Sequence, residues 1–372
     1  MTTAVKVPYS YLDAQFAHPE PALAGIRELV ARGDFTLGSA LEEFERRFAS
    51  LCGLPHAVGV SSGTDALALC LVAAGIGHGD EVITTPDTFI ATVGAINQVG
   101  AKTVFVDCGD DYNIDPALIE RAITKRTKAI LPVHLTGNPA DMIAIQKIAR
   151  RRKLIVIEDA CQSIGAAIDG RPVGTFGIAA GFSLHPLKNL NVWGDAGVVV
   201  TTSAKIAAKI RLLRNHGMRT RDEIAVLGFN HRMDTLQAVV GNWLIGATEN
   251  VTERRIANAA RYDRALASIQ HITLPPRRTD VRQVYHTYVV QAERRDLLYK
   301  HLLDRGIEAK IHYPVPLHLQ PGLRHLGYKR GRFPVTERQA RRILSLPVHQ
   351  HLSDQQLDHV VDTIRAFYAG KQ

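Results

Sequence analysis

Short β-branched, apolar runs alternate with helical patterns from Ser61 to Thr201, and this alternation restricts the chain to few folds. The order is typical of a parallel sheet whose strands are joined by crossover helices. The apolar runs are nearly continuous, as expected for strands that are covered on both faces. The sequence therefore predicts an α/β fold, with a mostly parallel sheet and helices on both of its faces.

Individual elements follow from the periodicity of the apolar residues. We predict strands at 57–60, 81–85, 102–107, 128–134, 154–157, 284–291 and 309–313. We predict helices at 66–76, 88–99, 116–123, 141–151, 204–215, 235–249, 251–268 and 294–305. The first of these helices is apolar enough to be buried. Ligands of such sheets lie beyond the carboxyl ends of the strands, where Asp159 falls.

The chain is long enough for two domains. The pattern changes near residue 250, so we predict a large domain at 1–250, with an N-terminal segment at 1–33, and a smaller C-terminal α/β domain at 251–372. The composition, with 46% hydrophobic and 22% charged residues, is that of a globular protein with a large core. We find no low-complexity tract and no internal repeat.

The net charge of +9 suits an anionic substrate or a nucleic acid, but the cations are spread along the chain. The one dense run, at 150–153, closes an amphipathic helix, where cations complement the helix dipole. A solvated helix end explains this run better than a nucleic-acid site does.

Four cysteines lack both paired metal spacing and the framework of a short secreted protein, so we expect a reduced, cytoplasmic protein without disulfides. The sixteen histidines are scattered, and no metal site is predicted. Residues 1–16 lack an apolar signal core, and the longest apolar run, 66–76, is too short to cross a bilayer.

Lys188 lies between the acidic segment Glu158-Asp159 and the glycine-rich segment 194–197. A lysine so placed can form a Schiff base with the aldehyde of pyridoxal phosphate. Asp159 ends an apolar strand and is costly to bury unless a cation pairs with it. The protonated pyridine nitrogen of that cofactor would supply the cation, and so would a neighbouring arginine. By itself the lysine is weak evidence, because most of the 45 Lys and Arg residues lie at the surface.

Two further segments suit a phosphorylated ring. Ser61-Ser62-Gly63-Thr64 joins a strand to a helix, so the amides of Gly63 and Thr64 could bind phosphate, although the segment also reads as an ordinary helix cap. Phe89 follows the next strand and could stack on a pyridine ring or simply belong to the core. Gln162 could reach the phenolic oxygen of the ring, but a surface glutamine gives the same pattern.

Together these segments resemble the sugar aminotransferases of the DegT/DnrJ/EryC1/StrS family, which are fold-type-I pyridoxal phosphate enzymes. The matching motifs occur in the same order over nearly the whole chain. They are Asp34, Gly38, 58–67, 79–83, 133–135, 139–142, 158–160, 188–190, 213–217, Asn230, Arg232 and 312–314.

The resemblance implies a role for individual residues. It gives Lys188 the Schiff base, Asp159 the pyridine nitrogen, Phe89 the ring stack, Gln162 the phenolic oxygen, and Gly63, Thr64 and Ser183 the phosphate. Asn230 matches a position that reaches phosphate from a partner subunit, which implies a homodimer with shared sites. His312, Tyr313 and His318 match a substrate-side loop.

The chain also departs from the family pattern. The usual glycine pair is replaced by Ala196-Gly197 after Asp195, and Trp193 could shape the sugar pocket or only pack. Some relatives carry histidine in place of the lysine and catalyse dehydration. Lys188 is present here, which disfavours dehydration, although His185 lies close by.

The resemblance implies a transaminase that moves an amino group, from glutamate, to the ketone of a nucleotide-linked deoxysugar by way of pyridoxamine phosphate. Residues 188–195 favour amination at C3. Another keto sugar, such as an acidic sugar or a cyclitol, stays open as the acceptor. A regulatory protein without turnover also stays open as the function of the chain, although no helix-turn-helix segment is present. A dehydrogenase would need a glycine-rich dinucleotide turn, which Ser61-Ser62-Gly63-Thr64 is not.

Overall fold

The computed structural model describes residues 5–370. The helices within this range are α1 Leu12–Gln15, α2 Glu20–Arg32, α3 Ser39–Leu51, α4 Gly63–Ala73, α5 Ile90–Gln98, α6 Pro116–Ala122, α7 Met142–Arg152, α8 Ala204–Leu213, α9 Thr235–Leu244, α10 Thr248–Leu266, α11 Arg295–Leu303, α12 Pro334–Ala340 and α13 Asp354–Ala369. The strands are β1 His56–Val60, β2 Glu81–Thr84, β3 Lys102–Phe105, β4 Thr127–Ile130, β5 Ile155–Asp159, β6 Ala167–Ile168, β7 Arg171–Pro172, β8 Ala179–Ser183, β9 Gly197–Thr201, β10 Ile272–Thr273, β11 Val281–Arg282, β12 Tyr288–Ala292 and β13 Ile343–Leu346.

A seven-stranded sheet in the order β1-β9-β8-β5-β4-β2-β3 forms the centre of the fold. Strand β9 runs antiparallel to both of its neighbours, whereas the other neighbouring pairs are parallel. The predicted α/β fold with a mostly parallel sheet is therefore confirmed. The parallel strands direct their carboxyl ends to one edge, where the ends of β5 and β8 lie side by side.

Apolar clusters cover both faces of this sheet. Helices α4 and α8 pack on one face, in a cluster that includes Leu67, Leu71 and Ile210. Helices α3 and α9 pack on the other, in a cluster that includes Phe44 and Ala238. Strands β8 and β9 are buried at every position because both of their faces are covered. The prediction of a buried helix after residue 60 is confirmed by α4.

A second core lies toward the C-terminus. The small sheet β10-β12-β13 packs against α10, α11 and α13 through residues such as Tyr262, Leu298 and Val360. Val7, from the N-terminal segment, also belongs to this core. Residues 1–4 and 371–372 lie outside the described range. The domain boundary near residue 250 stays a prediction.

Three predicted strands differ from the observed ones. Residues 309–313 form no strand and contribute only one isolated bridge, between Lys310 and Ser345, because the chain turns here toward a cavity. The strand predicted at 284–291 begins only at Tyr288, because the residues before it line the same cavity. Strand β4 ends at Ile130, close to Pro132, which has no amide hydrogen for the ladder.

The arginine-rich run closes helix α7, as predicted. Arg151 and Arg152 are exposed and pair with Glu120 at the surface. All four cysteines are free. Within residues 5–370, no helix is both long and apolar enough to cross a membrane, and no group of three or more His, Cys, Asp or Glu side chains could hold a metal ion.

Candidate active site

A cavity of about 290 Å³ opens beyond the carboxyl ends of the central strands. Nine of the predicted site residues line it, namely Gly63, Thr64, Phe89, Asp159, Gln162, Ser183, Lys188, His312 and Tyr313. They come from seven separate stretches of the chain, which the sheet and its loops bring to one place.

Neighbouring acidic residues at the end of β5 have different surroundings, because successive side chains of a strand point to opposite faces. Glu158 is fully buried and accepts hydrogen bonds from the amides of Gly174, Phe176 and Gly177 at 2.7 to 2.8 Å. The ring of His134 also lies 3.1 Å from it. Glu158 is therefore fully engaged in holding the loop after β7, whereas Asp159 faces the cavity.

Asp159 is buried at the end of β5. Its Oδ2 atom accepts a hydrogen bond of 2.7 Å from the hydroxyl of Thr92, and its Oδ1 atom accepts one of 3.2 Å from the amide of Cys161. No arginine, lysine or histidine of residues 5–370 forms an ion pair with it, so the alternative of a neighbouring arginine does not hold. A buried carboxylate that faces a cavity in this way fits a protonated ring nitrogen.

Lys188 is half-buried at the cavity wall, in a tight turn in which its amide donates to the carbonyl of His185. Tyr11 fixes the same turn through a 2.9 Å hydrogen bond from its hydroxyl to the Lys188 carbonyl. Desolvation lowers the pKa of the Lys188 amine, and the nearby Cys161 and Asp159 only partly oppose this effect. A larger fraction of the amine is thus neutral, the form that acts as nucleophile or base.

The turn between β1 and α4 suits a phosphate group. The Ser62 hydroxyl accepts a 3.1 Å hydrogen bond from the Asp65 amide, so Ser62 is an ordinary helix cap. The first amides of the helix, at Gly63 and Thr64, nevertheless stay available to a ligand. A Cβ atom at Gly63 would lie 2.8 Å from that of Ser183. The turn is therefore a helix cap whose first amides could bind an anion, and the end of β8 closes one side of it.

Strand β9 approaches this turn so closely that only glycine fits at its first residue. A Cβ atom at Gly197 would lie 2.2 Å from the Ser62 carbonyl oxygen. The preceding residue, Ala196, is buried in an apolar cluster, so its extra methyl group, compared with the glycine of the family pattern, is accommodated.

Phe89 and Tyr313 border the open side of the cavity, with ring centroids 6.1 Å apart. Phe89 is 52% exposed, so the alternative of a core phenylalanine is wrong. Gln162 reaches across, and its side-chain oxygen accepts the Thr136 amide at 2.7 Å. An aromatic ring and an amide side chain thus line the same cavity as Lys188.

His312 lines the inner wall, and its Nδ1 atom lies 3.0 Å from the Ser345 hydroxyl. Burial lowers the pKa of His312 to about 4, with smaller contributions from Lys188 and Lys310. The ring is therefore neutral at physiological pH and can exchange hydrogen bonds with a substrate without adding charge.

Three predicted site residues do not line this cavity. His318 is buried elsewhere, 3.0 Å from Glu337, because the loop after Pro316 turns inward. Trp193 packs edge-on against Phe16, so packing explains it better than a pocket role does. Asn230 is exposed.

Several cavity residues are absent from the sequence-based prediction. Thr92 is the most important of them, and its spacing from Thr88, one helical turn earlier, was a usable signal. His286 and Thr287 lie on a loop that we predicted as a strand. His185, noted only for its proximity to the lysine, also lines the cavity.

Comparison with known proteins identifies the family of the chain. The model of the DegT/DnrJ/EryC1/StrS aminotransferase family matches residues 19–365. The chain belongs to this family. The resemblance inferred from the motifs is thereby confirmed.

Two relatives of this family member align over nearly its whole length. The erythromycin biosynthesis sensory transduction protein EryC1 of Saccharopolyspora erythraea is 44% identical over 96% of this chain and 98% of its own. The dTDP-3-amino-3,4,6-trideoxy-alpha-D-glucose transaminase of Streptomyces venezuelae is 43% identical over 95% of each chain.

Solved structures of the family superpose closely. S. venezuelae DesV, in complex with a ketimine intermediate, has a TM-score of 0.96 and 42% identity, with 99% of this chain and 100% of that chain covered. Bacillus subtilis NtdA with bound cofactor PMP has a TM-score of 0.92 and 32% identity, with 99% of this chain and 86% of that chain covered.

Proposed function

We propose that this family member is a pyridoxal-phosphate-dependent aminotransferase. It moves an amino group from glutamate to the keto group of a nucleotide-linked deoxysugar, at C3. The observation that carries the proposal is the pair formed by Lys188 and Asp159, which line one cavity: an amine of lowered pKa and a carboxylate that forms no ion pair among residues 5–370.

The cavity residues fit the cofactor. When bound, pyridoxal phosphate supplies an aldehyde that takes up the amino group and a ring that withdraws electrons from the reacting carbon. The amides of Gly63 and Thr64, with Ser183, would hold the phosphate. Asp159 would hold the ring nitrogen, Phe89 the ring face and Gln162 the phenolic oxygen, since all three line the cavity.

Lys188 would act as both anchor and proton carrier. Its neutral Nζ amine would hold the cofactor at rest and, when free, would accept the proton from the α-carbon of the donor. Asp159 would stabilise positive charge on the ring nitrogen. The same residues would carry out the reverse proton transfers on the keto sugar.

The acceptor assignment rests on the relatives and on charge. The S. venezuelae relative is named for a dTDP sugar that carries its amino group at C3, which supports the preference for C3. A net charge of +9 suits a diphosphate. Nucleotide-linked sugars are cytoplasmic metabolites, and the four free cysteines are compatible with that compartment.

A shared site in a homodimer is part of the proposal. Asn230 is exposed on a loop with Ile224 (66% exposed) and Leu227 (93% exposed), as expected for a surface that a second copy covers. The loop is held in place by a bridge between Asn215 and Asn230. In a dimer, Asn230 would reach the phosphate of the partner.

Spectroscopy tests the proposal. The purified protein, supplied with pyridoxal phosphate, should absorb in the visible, and glutamate should bleach that band as pyridoxamine phosphate forms. The keto sugar nucleotide should restore it. Lys188→Ala should lose turnover. A protein that gains no visible band when the cofactor is added would refute the assignment.

A regulatory protein without turnover is the second candidate, favoured by the name of the EryC1 relative. A sensor could bind the cofactor without releasing product. Multiple turnovers of glutamate to 2-oxoglutarate in the presence of a keto sugar nucleotide would exclude this candidate. A single bleaching event without recovery would favour it over the enzyme.

A further inference from the structure

A second, smaller cavity of about 70 Å³ adjoins the first. The two share part of the wall that includes Leu187, His286 and His312. The floor of the smaller cavity carries Arg255, which lies in the middle of α10.

Arg255 is 1% exposed and only partly satisfied. Its Nη1 atom donates to the carbonyls of Tyr285 and His286 at 3.2 Å, and its Nε atom donates to Gln350 at 3.1 Å. Its Nη2 atom has no hydrogen-bond partner within residues 5–370. No carboxylate of residues 5–370 pairs with it. A buried guanidinium without a counterion is costly, which points to an anion that the folded chain does not supply.

The rest of the cavity wall carries no charge to balance Arg255. Burial lowers the pKa of His349 to about 4 and that of His286 well below its ordinary value, so both rings are neutral. Burial also lowers the pKa of Arg255, but a guanidinium stays protonated at physiological pH. The cavity therefore holds one unbalanced positive charge.

Tyr11 links this charge to the reacting lysine. The ring of Tyr11 lies over the Arg255 guanidinium, 5.1 Å from centroid to Cζ, and its hydroxyl donates to the Lys188 carbonyl. One aromatic side chain thus contacts the guanidinium and the lysine turn, so the two groups belong to one rigid unit.

We propose that Arg255 binds a carboxylate of the amino donor and so holds glutamate beside Lys188. This inference rests on the proposed aminotransferase function and adds the residue that selects the donor. A cavity of about 70 Å³ accommodates a carboxylate but not the diphosphate and nucleoside of the acceptor. The unpaired Nη2 atom supplies the hydrogen bonds, and the guanidinium supplies the charge.

Calorimetric titration of the cofactor-loaded protein with glutarate, a dicarboxylate that cannot react, measures this site directly. We expect Arg255→Gln to weaken glutarate binding by about 10- to 100-fold, the usual loss for a hydrogen bond to a charged group. In the glutamate half-reaction, KM should rise by a similar factor with little change in kcat. Binding of dTDP should be unchanged.

Arg261→Gln is the matched control. Arg261 lies on the same helix, is partly exposed and pairs with Asp354 and Asp358 at the surface. It should leave glutarate binding, dTDP binding and turnover as in the wild type. If Arg255→Gln fails to fold, Arg255→Lys tests the proposal in its place. A lysine keeps the positive charge but loses the planar guanidinium, whose donors can bind both carboxylate oxygens. It should weaken glutarate binding by about threefold or more.

Two outcomes overturn the inference. Wild-type glutarate affinity in a folded Arg255→Gln or Arg255→Lys protein would leave Arg255 with a purely structural role. If the variant lost affinity for dTDP and kept its affinity for glutarate, Arg255 would bind the diphosphate of the acceptor and not the carboxylate of the donor. Should the wild type itself neither bleach with glutamate nor bind glutarate, the proposed donor is wrong and this inference falls with it.

Discussion

The hydroxyl of Thr92 donates a 2.7 Å hydrogen bond to the Asp159 carboxylate, although the two residues lie 67 positions apart. The same hydroxyl lies 2.9 Å from that of Thr88, one turn earlier on the approach to α5. Helix α5 thus orients the carboxylate at the end of β5. Thr92 is therefore a positioning residue for the group that we assign to the ring nitrogen.

Thr92→Val should test this positioning role. The substitution keeps the shape of the side chain and removes the hydroxyl, so the carboxylate loses one of its two hydrogen bonds. We expect turnover to fall by about 3- to 10-fold, since a hydrogen bond to a charged group contributes about 1.5–3 kcal/mol and only part of it acts on the reaction. Thr92→Ser should restore most of the activity. A loss of stability with unchanged kcat would point to packing instead.

Asp159→Asn and Glu158→Gln should separate function from structure at adjacent positions. Asp159→Asn removes the charge but keeps the shape, so we expect a folded protein that binds cofactor weakly, with turnover reduced at least about tenfold. Glu158→Gln disturbs three amide hydrogen bonds, so we expect the free energy of unfolding to fall by about 1–3 kcal/mol.

Denaturant unfolding and steady-state kinetics on both variants check this contrast. Near-normal turnover of Asp159→Asn would show that another group, or none, balances the ring nitrogen. If both variants lost stability equally, the two carboxylates would share one structural role.

The stability of the cofactor-free protein should depend on Lys188 and on pH. The pKa of this lysine is lowered in the folded protein, so the unfolded chain binds more protons between the lowered value and the ordinary 10.5. Stability contributed by this group therefore rises with pH through that window. Below the lowered value, the folded state bears the cost of a desolvated ammonium.

Lys188→Met should consequently stabilise the cofactor-free protein at neutral pH, and the gain should shrink as pH rises toward 10.5. Urea titrations at several pH values measure this difference. Lys205→Met, at an exposed position on α8, is the control and should change stability by less than about 0.5 kcal/mol. A pH-independent gain would mean that the methionine acts through packing alone.

Mixed dimers should test the shared site. Lys188→Ala and Asn230→Ala should each cripple a homodimer. If each site takes Lys188 from one chain and Asn230 from the other, a heterodimer of the two variants contains one intact site and should recover up to about half of the wild-type activity.

Verification of the heterodimer by mass and of cofactor loading by absorbance makes the result decisive. Residue 231, next to Asn230, contacts the chain's own β1–α4 turn, since the Ser61 amide donates to the His231 carbonyl at 3.0 Å. A site within one chain is therefore a real alternative. If Lys188 and Asn230 of one chain served the same site, each site of the heterodimer would carry one of the two substitutions, and no activity would be recovered.

The sequence by itself determined the alternating order of strands and helices, the α/β class and the family. These features depend on local periodicity and on motifs of adjacent residues, such as the turn at Gly63 and Thr64 and the acidic end of β5. It also identified nine cavity residues, six of them from the residues and their placement, and Ser183, His312 and Tyr313 from the family resemblance.

Only the tertiary structure decided which polar residues face the cavity and which are already satisfied. It separated Asp159 from Glu158, moved His318 away from the site, and brought in Thr92 and Arg255. These outcomes depend on contacts between segments far apart in the chain. Neither the burial of a guanidinium nor the absence of its counterion leaves a local pattern, because both arise only when separate helices, strands and loops pack together.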